Sequence, residues 1–286
     1  MNSAFDYSLA FTRNLGILTA EEQLKIGKAH ISIAGMGGVG GEYLISLVRM
    51  GFQNFRICDI DEFEIQNFNR QFGANIHSLQ HLKTKTMYEM ALQINPNCRI
   101  EIFSEPIQES NADQFLIGTD LVVDGIDFFQ MNAHKVLIHR AQSRGIATLA
   151  AVPLGFGAGI INFHSNSPSF SDFFALSKAR SPAEEVLLFA LGFGIGSYHL
   201  KYIDPNFINL KKGQGPSIIS GIKASVGLIT TSCLQVLLWP HEARFAPWVS
   251  HYDFRLQKMV SKRLLFGNKG PLQSFKFVIA KKRISE

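Results

Sequence analysis

The segment Ile31 to Gly51, ISIAGMGGVGGEYLISLVRMG, constrains the fold more than any other part of the chain. It reads as a short apolar strand, a glycine-rich turn and a helix with apolar residues at helical spacing. Glycines in such a turn let the backbone approach an oxyanion closely, and the helix dipole favours negative charge there. The segment predicts a phosphate-binding turn, but it suits the dinucleotide of an oxidoreductase as well as ATP. Its glycines are Gly35, Gly37, Gly38 and Gly40.

Strand and helix patterns alternate through about the first 165 residues. This alternation is typical of a parallel sheet with helices on both faces. Near the end of the chain, HYDFRLQKMVSKRLLF alternates as one or two edge strands, with GNKGP as a turn. We therefore predict an α/β fold: a doubly wound, mostly parallel, Rossmann-like sheet with antiparallel edge strands toward the C-terminus.

Charge is distributed unevenly along the 286 residues, whose formal net charge is +5. From Arg255 onward there are nine Lys or Arg and one Glu, so this tail carries about +8 and the other 254 residues about −3. Because these cations are spread among apolar residues, we interpret them as the solvent-facing side of edge strands. No nucleic-acid partner is expected.

The three cysteines, Cys58, Cys98 and Cys233, are far apart and form no CxxC pair. This argues against a disulfide scaffold and against a four-thiolate zinc site, so no zinc is expected. The N-terminal residues show no basic start followed by an apolar run, the pattern of a secretory signal. A cytoplasmic location is the expectation.

The segment Ser217 to Trp239 carries one charge, Lys223, over a length that suffices to span a bilayer. However, it also contains serines, threonines and a glutamine, and a lysine at mid-membrane costs roughly 2.5–3.5 kcal/mol. We predict a buried helix in the core or at a dimer interface rather than a membrane span.

Acidic residues follow the second predicted strand. Asp59 lies 24 residues after Gly35, where a carboxylate accepts hydrogen bonds from ribose hydroxyls. Asp61 is interpreted either as a residue that supports the ribose contact of Asp59 or as a surface residue. At this point a dehydrogenase and an ATP-binding enzyme fit equally well.

The motif NFNRQF, which spans Asn67, Asn69, Arg70 and Gln71, favours ATP. Lys83 follows Arg70 by 13 residues, at the start of a predicted helix. An arginine fork and a lysine ammonium near a glycine turn suit a triphosphate, because its departing pyrophosphate must be neutralised. Hydride transfer requires no such cations.

Asp127 ends the strand expected to lie beside the glycine turn. A carboxylate there can hold Mg²⁺, which bridges phosphate oxygens. Asp124 is interpreted as its structural companion. His164, His199, His241 and His251 show no metal-ligand spacing and are interpreted as ordinary residues.

Taken together, the motifs resemble the ThiF/MoeB superfamily of ATP-dependent adenylyltransferases, which are related to the ubiquitin-activating enzymes. The resemblance covers roughly Arg13 to Phe163 in order and spacing, and more loosely extends to the C-terminus. The motifs that carry it are Gly35-x-Gly-Gly-x-Gly, Asp59-x-Asp, Asn67-x-Asn-Arg-Gln, Lys83, INPN (Ile94 to Asn97) and Asp124-x-x-Asp127.

The resemblance implies a role for each matching residue. Gly38 lies in the phosphate loop, Asp59 binds the ribose, and Asp127 positions Mg²⁺. Asn67, Arg70 and Lys83 contact the phosphates. In the family an arginine from the partner subunit also reaches the phosphates, and Arg13 in FTRN falls at that place. A homodimer with two shared sites is therefore implied.

The resemblance also divides the chain, taken as one adenylation domain over residues 1–286, into four parts. They are an N-terminal helical arm (1–29), a nucleotide-binding half (30–163), an acceptor-side and dimerisation half (164–250) and a basic edge-strand tail (251–286).

Two departures from the family pattern concern cysteine. Many members have a nucleophilic thiol after the position of Asp127 and two CxxC zinc pairs, and this chain has neither. Cys233 lies in the apolar helix candidate, where a thiol usually acts as a small hydrophobic group. These departures argue against a thioester step and leave adenylation intact.

We therefore predict an enzyme that uses Mg·ATP to adenylate a carboxylate of a small protein or peptide, either its C-terminus or a side chain. Two alternatives remain open. A non-catalytic nucleotide- or peptide-binding module would retain the fold without turnover. An NAD- or FAD-dependent oxidoreductase would use the glycine turn and Asp59 but leave Arg70 and Lys83 without a role.

Overall fold

The structure, a computed structural model, describes residues 5–210 and 212–285, and within them eight strands form a single sheet. The strands are β1 His30–Ala34, β2 Asn54–Cys58, β3 Arg99–Phe103, β4 Leu121–Asp124, β5 Ala147–Leu154, β6 Gly157–Phe163, β7 Trp248–Asp253 and β8 Lys258–Arg263. Their spatial order is β3-β2-β1-β4-β5-β6-β7-β8.

The first five strands pair in parallel, and β6, β7 and β8 continue the sheet in antiparallel pairs. From β1 the chain adds β2 and β3 toward one edge of the sheet, and then β4 and β5 toward the other edge. The switch point of the strand order therefore lies between β1 and β4. In open α/β sheets, ligands bind outside the carboxyl ends of the strands at such a switch point. The predicted fold class, including the antiparallel edge, is confirmed.

Helices cover both faces of the sheet. They are α1 Tyr7–Ala10, α2 Ala20–Lys28, α3 Gly40–Met50, α4 Lys83–Ile94, α5 Ala112–Phe115, α6 Met131–Ser143, α7 Phe170–Phe174, α8 Pro182–Phe193, α9 Ile219–Leu238 and α10 Pro271–Ser285. Several starts follow ordinary capping chemistry. Thr19 and Glu22 form a reciprocal capping box on α2, and Ser181 caps α8 with Pro182 at its first position.

Alternating strand residues divide the core between the two faces. On β5, Leu149 belongs to the core that includes residues of α2, α3, α4 and α9, whereas Ala150 and Val152 face the opposite layer. That opposite layer is rich in phenylalanine, and Phe174 and Phe189 lie there with ring centroids 5.1 Å apart. Both faces of the strands β1, β4, β5 and β6 are thus buried, which explains why those strand sequences are mostly apolar.

The long apolar helix α9 is part of this core. It is long and apolar enough to cross a membrane by length and composition, but half of its most apolar window is buried against the rest of the protein. Its buried side includes Ile229 and Cys233, both fully enclosed. Lys223, its single charge, pairs with the nearly buried Glu42 of α3 at 2.5 Å. These contacts agree with the predicted core helix.

The end of the chain differs from the predicted edge-strand tail. β7 and β8 form the expected edge, but residues 271–285 turn into α10 instead of continuing the sheet. Pro271 starts this helix, and its buried face docks on α8, where Gln273 donates a hydrogen bond to the carbonyl oxygen of Leu191 at 3.0 Å. Residues 1–4 of the predicted N-terminal arm and Glu286 of the predicted tail lie outside the described residues.

A core role for α9 predicts a specific pattern of stability. Ile229→Ala should lower the free energy of unfolding by about 2–5 kcal/mol, because it removes a fully buried side chain and leaves a cavity. Thr231→Ala, on the exposed side of the same helix, should change it by less than about 0.5 kcal/mol. Urea denaturation of the purified variants measures both. Equal effects at the two positions would show that α9 is not packed as described.

Candidate active site

The carboxyl ends of β1, β2 and β4 open into a cavity of about 1380 Å³. The structure places ten of the predicted site residues on its walls: Gly35, Gly37, Gly38, Asp59, Asp61, Asn69, Arg70, Gln71, Lys83 and Asp127. Cations, amides and carboxylates from three separate segments therefore meet in one cleft. Their individual roles toward a ligand stay predictions.

The glycine turn has two kinds of glycine. Gly35 has a φ of +89°, and a Cβ there would overlap the backbone of Gly125, while a Cβ at Gly40 would overlap the carbonyl of Gly35. Gly37 and Gly38 instead line the cavity, and their amides find no hydrogen-bond acceptor among the described residues. Gly35 and Gly40 thus close the turn, and Gly37 and Gly38 leave donors available for an anion.

Asp59 links the end of β2 to this turn. Its Oδ2 accepts the N–H of Met36 at 2.6 Å, and its Oδ1 accepts the N–H of Asp61 at 2.9 Å. Burial raises the pKa of Asp59, although Lys83 and the two N–H donors act in the opposite direction. Each carboxylate oxygen still has a second lone pair, so the predicted ribose contact remains compatible with these bonds.

The two predicted phosphate-binding cations differ in burial. Lys83 is 6% exposed at the start of α4, and its Nζ donates to Oδ2 of the exposed Asp61 at 2.8 Å. Arg70 is half-buried, and its Nη1 donates to the carbonyl oxygen of Gln66 at 2.8 Å and to Oδ1 of Asn69 at 2.9 Å. One guanidinium edge is thus used to orient Arg70, and the other donors are left for a ligand.

Gln71, between these cations and the glycine turn, has a buried oxygen without a partner. Its Oε1 accepts no hydrogen bond from the described residues, although a buried amide oxygen is normally satisfied. Its Nε2 lies 3.8 Å from the place a Cβ would occupy on Gly37. The side chain therefore stands against the open part of the turn, where a bound ligand can satisfy it.

Asp127 offers one carboxylate oxygen to the cavity. Its Oδ1 accepts the N–H of Phe129 at 2.9 Å, and Oδ2 has no hydrogen-bond partner within the described part of the chain. Mg²⁺ is usually held by one or two carboxylates together with substrate phosphates. A single free oxygen beside a phosphate site fits that donor set. Among residues 5–210 and 212–285, no three His, Cys, Asp or Glu side chains form a metal-binding group.

His134 holds the Asp127 loop and was not singled out by the sequence. Its Nδ1 lies 2.7 Å from Oδ2 of Asp124, and its Nε2 lies 3.1 Å from the carbonyl oxygen of Asp127. Both partners are acceptors, so both ring nitrogens can donate only when the imidazole is protonated. Burial alone would lower the pKa of His134, but Asp124 and the carbonyl raise it above its ordinary value. Asp124, predicted as a structural companion of Asp127, contacts the Asp127 loop through His134.

The position of His134 carried a weak sequence signal. It lies in the first turn of α6, seven residues after Asp127, on the face that packs against the sheet. A polar residue at an otherwise apolar helix position, close to a buried acid, indicates such a pair only when the strand and helix are already known.

Three predicted site residues do not line the cavity. Gly40 is enclosed by the backbone of the turn. Asn67 is buried, and its Oδ1 accepts a hydrogen bond from the N–H of Glu64 at 2.9 Å. Arg13 is exposed in a short 3₁₀ turn, Thr12–Asn14. Within one subunit, Arg13 therefore does not reach the cavity, and its role across a dimer stays a prediction.

The cysteines are enclosed. Burial raises the pKa of Cys58 to about 12 and of Cys98 to about 11, and raises that of Cys233 well above its ordinary value. A thiol of this kind is a poor nucleophile, because the thiolate is the reactive form. The expectation that Cys233 acts as a small hydrophobic group agrees with its environment.

Two buried histidines lie at the other end of the cavity. His199 and His251 have ring centroids 5.6 Å apart, and His199 lines the wall. Nδ1 of His199 and Nε2 of His251 have no hydrogen-bond partner in the described structure. Burial lowers the pKa of each to about 4, so both are neutral at neutral pH.

Comparison with known proteins gives a family and several relatives. The profile of the ThiF family matches residues 11–266. The tRNA threonylcarbamoyladenosine dehydratase of Haemophilus influenzae is 30% identical over 134 residues, which cover 46% of this chain and 51% of that protein. The enzyme of the same name from Escherichia coli K12 is 33% identical over 133 residues, covering 46% and 50%. The chain thus spans about half the length of these relatives.

Solved structures share the fold. Escherichia coli MccB with ATP has a TM-score of 0.66 at 13% identity, covering 93% of this chain and 72% of that one. Escherichia coli TcdA, the tRNA N6-threonylcarbamoyladenosine dehydratase, in complex with ATP, has a TM-score of 0.56 at 18% identity, covering 82% and 96%. At these identities the likeness concerns the fold alone.

The two buried histidines predict acid sensitivity. Between pH 6.5, the ordinary histidine value, and about pH 4, the unfolded chain binds protons that the folded protein excludes. The free energy of unfolding should therefore decrease as the pH falls through this window, by about 1.4 kcal/mol per pH unit for each imidazole. Urea denaturation at a series of pH values measures the slope.

His199→Gln and His251→Gln should each reduce this slope, whereas His241→Gln, at a solvent-exposed position, should leave it unchanged. An unaltered slope in the double variant His199→Gln/His251→Gln would contradict the assignment.

Proposed function

The chain belongs to the ThiF family, and on that premise we propose that it is an adenylyltransferase that uses Mg·ATP to activate a carboxylate. The carboxylate belongs to a small protein or peptide, at its C-terminus or on a side chain. The product is an acyl-adenylate, and pyrophosphate is released. The observation that carries this proposal is the convergence of Lys83, Arg70 and Asp127 on the same cavity as the glycine turn.

The proposed reaction is one displacement at phosphorus. A carboxylate oxygen attacks the α-phosphorus of ATP, and the bond from that phosphorus to the oxygen bridging toward the β-phosphorus breaks. The electron pair leaves with pyrophosphate, and the acyl group is joined to AMP as a mixed anhydride. Little covalent chemistry falls to the protein, so catalysis depends on positioning and on charge stabilisation.

Residues of this chain supply both the positioning and the charge stabilisation. The free amides of Gly37 and Gly38 bind phosphate oxygens at the N-terminal side of α3. Lys83 and Arg70 stabilise the negative charge that accumulates on the departing pyrophosphate. Asp127 would hold Mg²⁺ through its free oxygen, and the ion would supply charge neutralisation on the phosphates.

The final acyl acceptor is proposed to come from another molecule. All three thiols of the chain are buried, so the activated acyl group would pass to a nucleophile of the substrate or of a second protein. Candidate carboxylates of this class are those of a ubiquitin-like sulfur carrier ending in Gly-Gly and of a ribosomally made peptide. A tRNA-derived carboxylate, suggested by the names of two relatives, is the one candidate tested from outside this class.

Replacement of Lys83 tests the proposed charge stabilisation. Lys83→Met should lower ATP–pyrophosphate exchange by about 100-fold or more, the usual cost of removing one preorganised donor from a developing anion. The fold should survive, because the partner left behind, Asp61, has a side chain that is 64% exposed. Exchange is measured with each candidate carboxylate in turn.

Lys85→Met is the matched control, since Lys85 is an exposed lysine on the same helix. It should retain nearly all activity. If both variants lost exchange equally, or if the unaltered protein bound Mg·ATP but exchanged with none of the carboxylates, adenylation would be excluded as the function.

The proposed homodimer with Arg13 acting in trans predicts complementation. Arg13→Ala and Lys83→Met should each be inactive alone. Equal amounts, mixed after reversible dissociation, should recover about a quarter of the exchange rate, because half the dimers are mixed and each holds one intact site. No recovery from mixed dimers verified by mass spectrometry would assign Arg13 to its own subunit or to no site.

A further inference from the structure

The cavity has a second arm beyond the predicted phosphate-binding residues. Its walls come from α8, α10 and parts of 197–210 and 212–217, none of which contributed a predicted site residue. We call this the apolar arm, defined by Val186, Leu187, Ala190, Leu200, Ile203 and Ile279.

The volume of the cavity indicates room for a second ligand. A pocket for one small ligand usually measures about 300–1,000 Å³. The whole cavity, at about 1380 Å³, exceeds that range. A nucleotide on the glycine turn would leave the apolar arm open, and both ligands would share one continuous space.

Charge is sorted between the two ends of the cavity. The four carboxylates on its walls, Asp59, Asp61, Asp124 and Asp127, all lie at or just after the carboxyl ends of β2 and β4. Among the described residues that line the cavity, the elements that form the apolar arm contribute no Asp or Glu, and they contribute two lysines, Lys212 and Lys276. An apolar segment that ends in a carboxylate suits such a wall, because no carboxylate of the protein lines it.

The wall of the apolar arm is anchored. Asn268 donates to the carbonyl oxygen of Leu188 at 2.7 Å, and Gln273 donates to that of Leu191 at 3.0 Å. Lys276 donates to the carbonyl oxygen of Ile195 at 2.7 Å. These bonds tie α10 and the turn before it to α8 and to the segment after α8, so the arm is a preformed space between two fixed helices.

An apolar surface continues from the arm onto the outside of α10. Leu272, Phe275 and Ile279 recur at the three- and four-residue spacing of one helix face. Ile279 lines the cavity and is 41% exposed, and Leu272 and Phe275 are 56% and 63% exposed. The face extends about 10 Å along the helix, at 1.5 Å per residue. A small acid enclosed in the cavity would leave it uncovered.

We propose that the apolar arm and this face of α10 bind the polypeptide segment that precedes the activated carboxylate, and that this segment carries apolar side chains. The proposal rests on the adenylyltransferase function and names its substrate class. Continuity with the phosphate site places the end of the segment near the nucleotide. The positive charge of residues 255–286 further favours acidic residues upstream in the substrate.

The test uses synthetic peptides of equal length with free C-termini. One carries apolar side chains in its last few residues, and a second carries serine and asparagine at the same places. The first peptide with a C-terminal amide, and a free medium-chain fatty acid, complete the set. Binding is measured by calorimetry with Mg·ATP present, and adenylation by ATP–pyrophosphate exchange.

The apolar peptide acid should bind and exchange with a KM at least about tenfold lower than the polar one, since a buried apolar group discriminates by that order. The amide should bind without exchange. Equal KM values for the two peptide acids would overturn the proposal, and more efficient exchange with the fatty acid would assign the arm to small acids.

A pair of variants locates the effect. Ile279→Glu should raise the KM for the apolar peptide about tenfold or more and leave the KM for ATP unchanged. Val278→Glu makes the same change on the adjacent residue, which is 53% exposed and lies outside the cavity wall, and should shift the KM less than about twofold.

The remaining outcomes distinguish the proposed peptide site from the proposed adenylation. Apolar peptide binding that depends on Ile279 without exchange would retain the binding site and reject adenylation. Exchange without apolar preference would retain adenylation and reject the arm as a peptide site. Equal loss of peptide binding in Ile279→Glu and Val278→Glu, together with binding of the unaltered protein to anionic lipid vesicles, would assign the α10 face to a membrane surface and overturn the proposal.

Discussion

The close contact of three glycines makes the site possible. Gly35 follows β1, Gly125 follows β4, and Gly40 begins α3. A Cβ on Gly35 would overlap the backbone of Gly125, one on Gly40 would overlap that of Gly35, and one on Gly125 would overlap that of Gly40. This contact closes the glycine turn and brings the loop of Asp127 beside it. The turn predicted to bind phosphate and the carboxylate proposed to hold Mg²⁺ therefore become neighbours, because these backbones meet without side chains. The arrangement of Lys83 and Arg70 around them adds charge to a frame that the glycines have already defined.

Features carried by short-range patterns were predictable from the sequence. The strand, turn and helix around Gly35, the acids at strand ends and the apolar helix α9 each follow from local spacing or composition, and the structure contains them. The gathering of Asp59, Lys83 and Asp127 was also foreseeable, because carboxyl ends of parallel strands share one edge of a sheet.

The features that could not be predicted from the sequence depend on contacts between distant segments. The role of His134 requires that α6 pack so as to place a ring between a carboxylate and a carbonyl, which no local pattern encodes. Helix α10 was mistaken for part of an edge-strand tail, since its apolar residues are divided between a buried side and an exposed side. Its docking also relies on the polar side chains of Gln273 and Asn268. The apolar arm exists only because α8 and α10 lie side by side. Arg13, assigned by resemblance, lies away from the cavity of its own subunit.

The pairing of Lys83 with Asp61 has a consequence for selectivity. The Lys83 ammonium has a counterion at 2.8 Å, and the side chain of that counterion, Asp61, is 64% exposed. An incoming anion must displace it, so the net gain is the difference between two ion pairs. A polyanion that is bound at several points can displace Asp61, whereas a monovalent anion would only replace one ion pair by another. On the proposed function, the ion pair with Asp61 thus makes Lys83 selective for ligands that carry several negative charges.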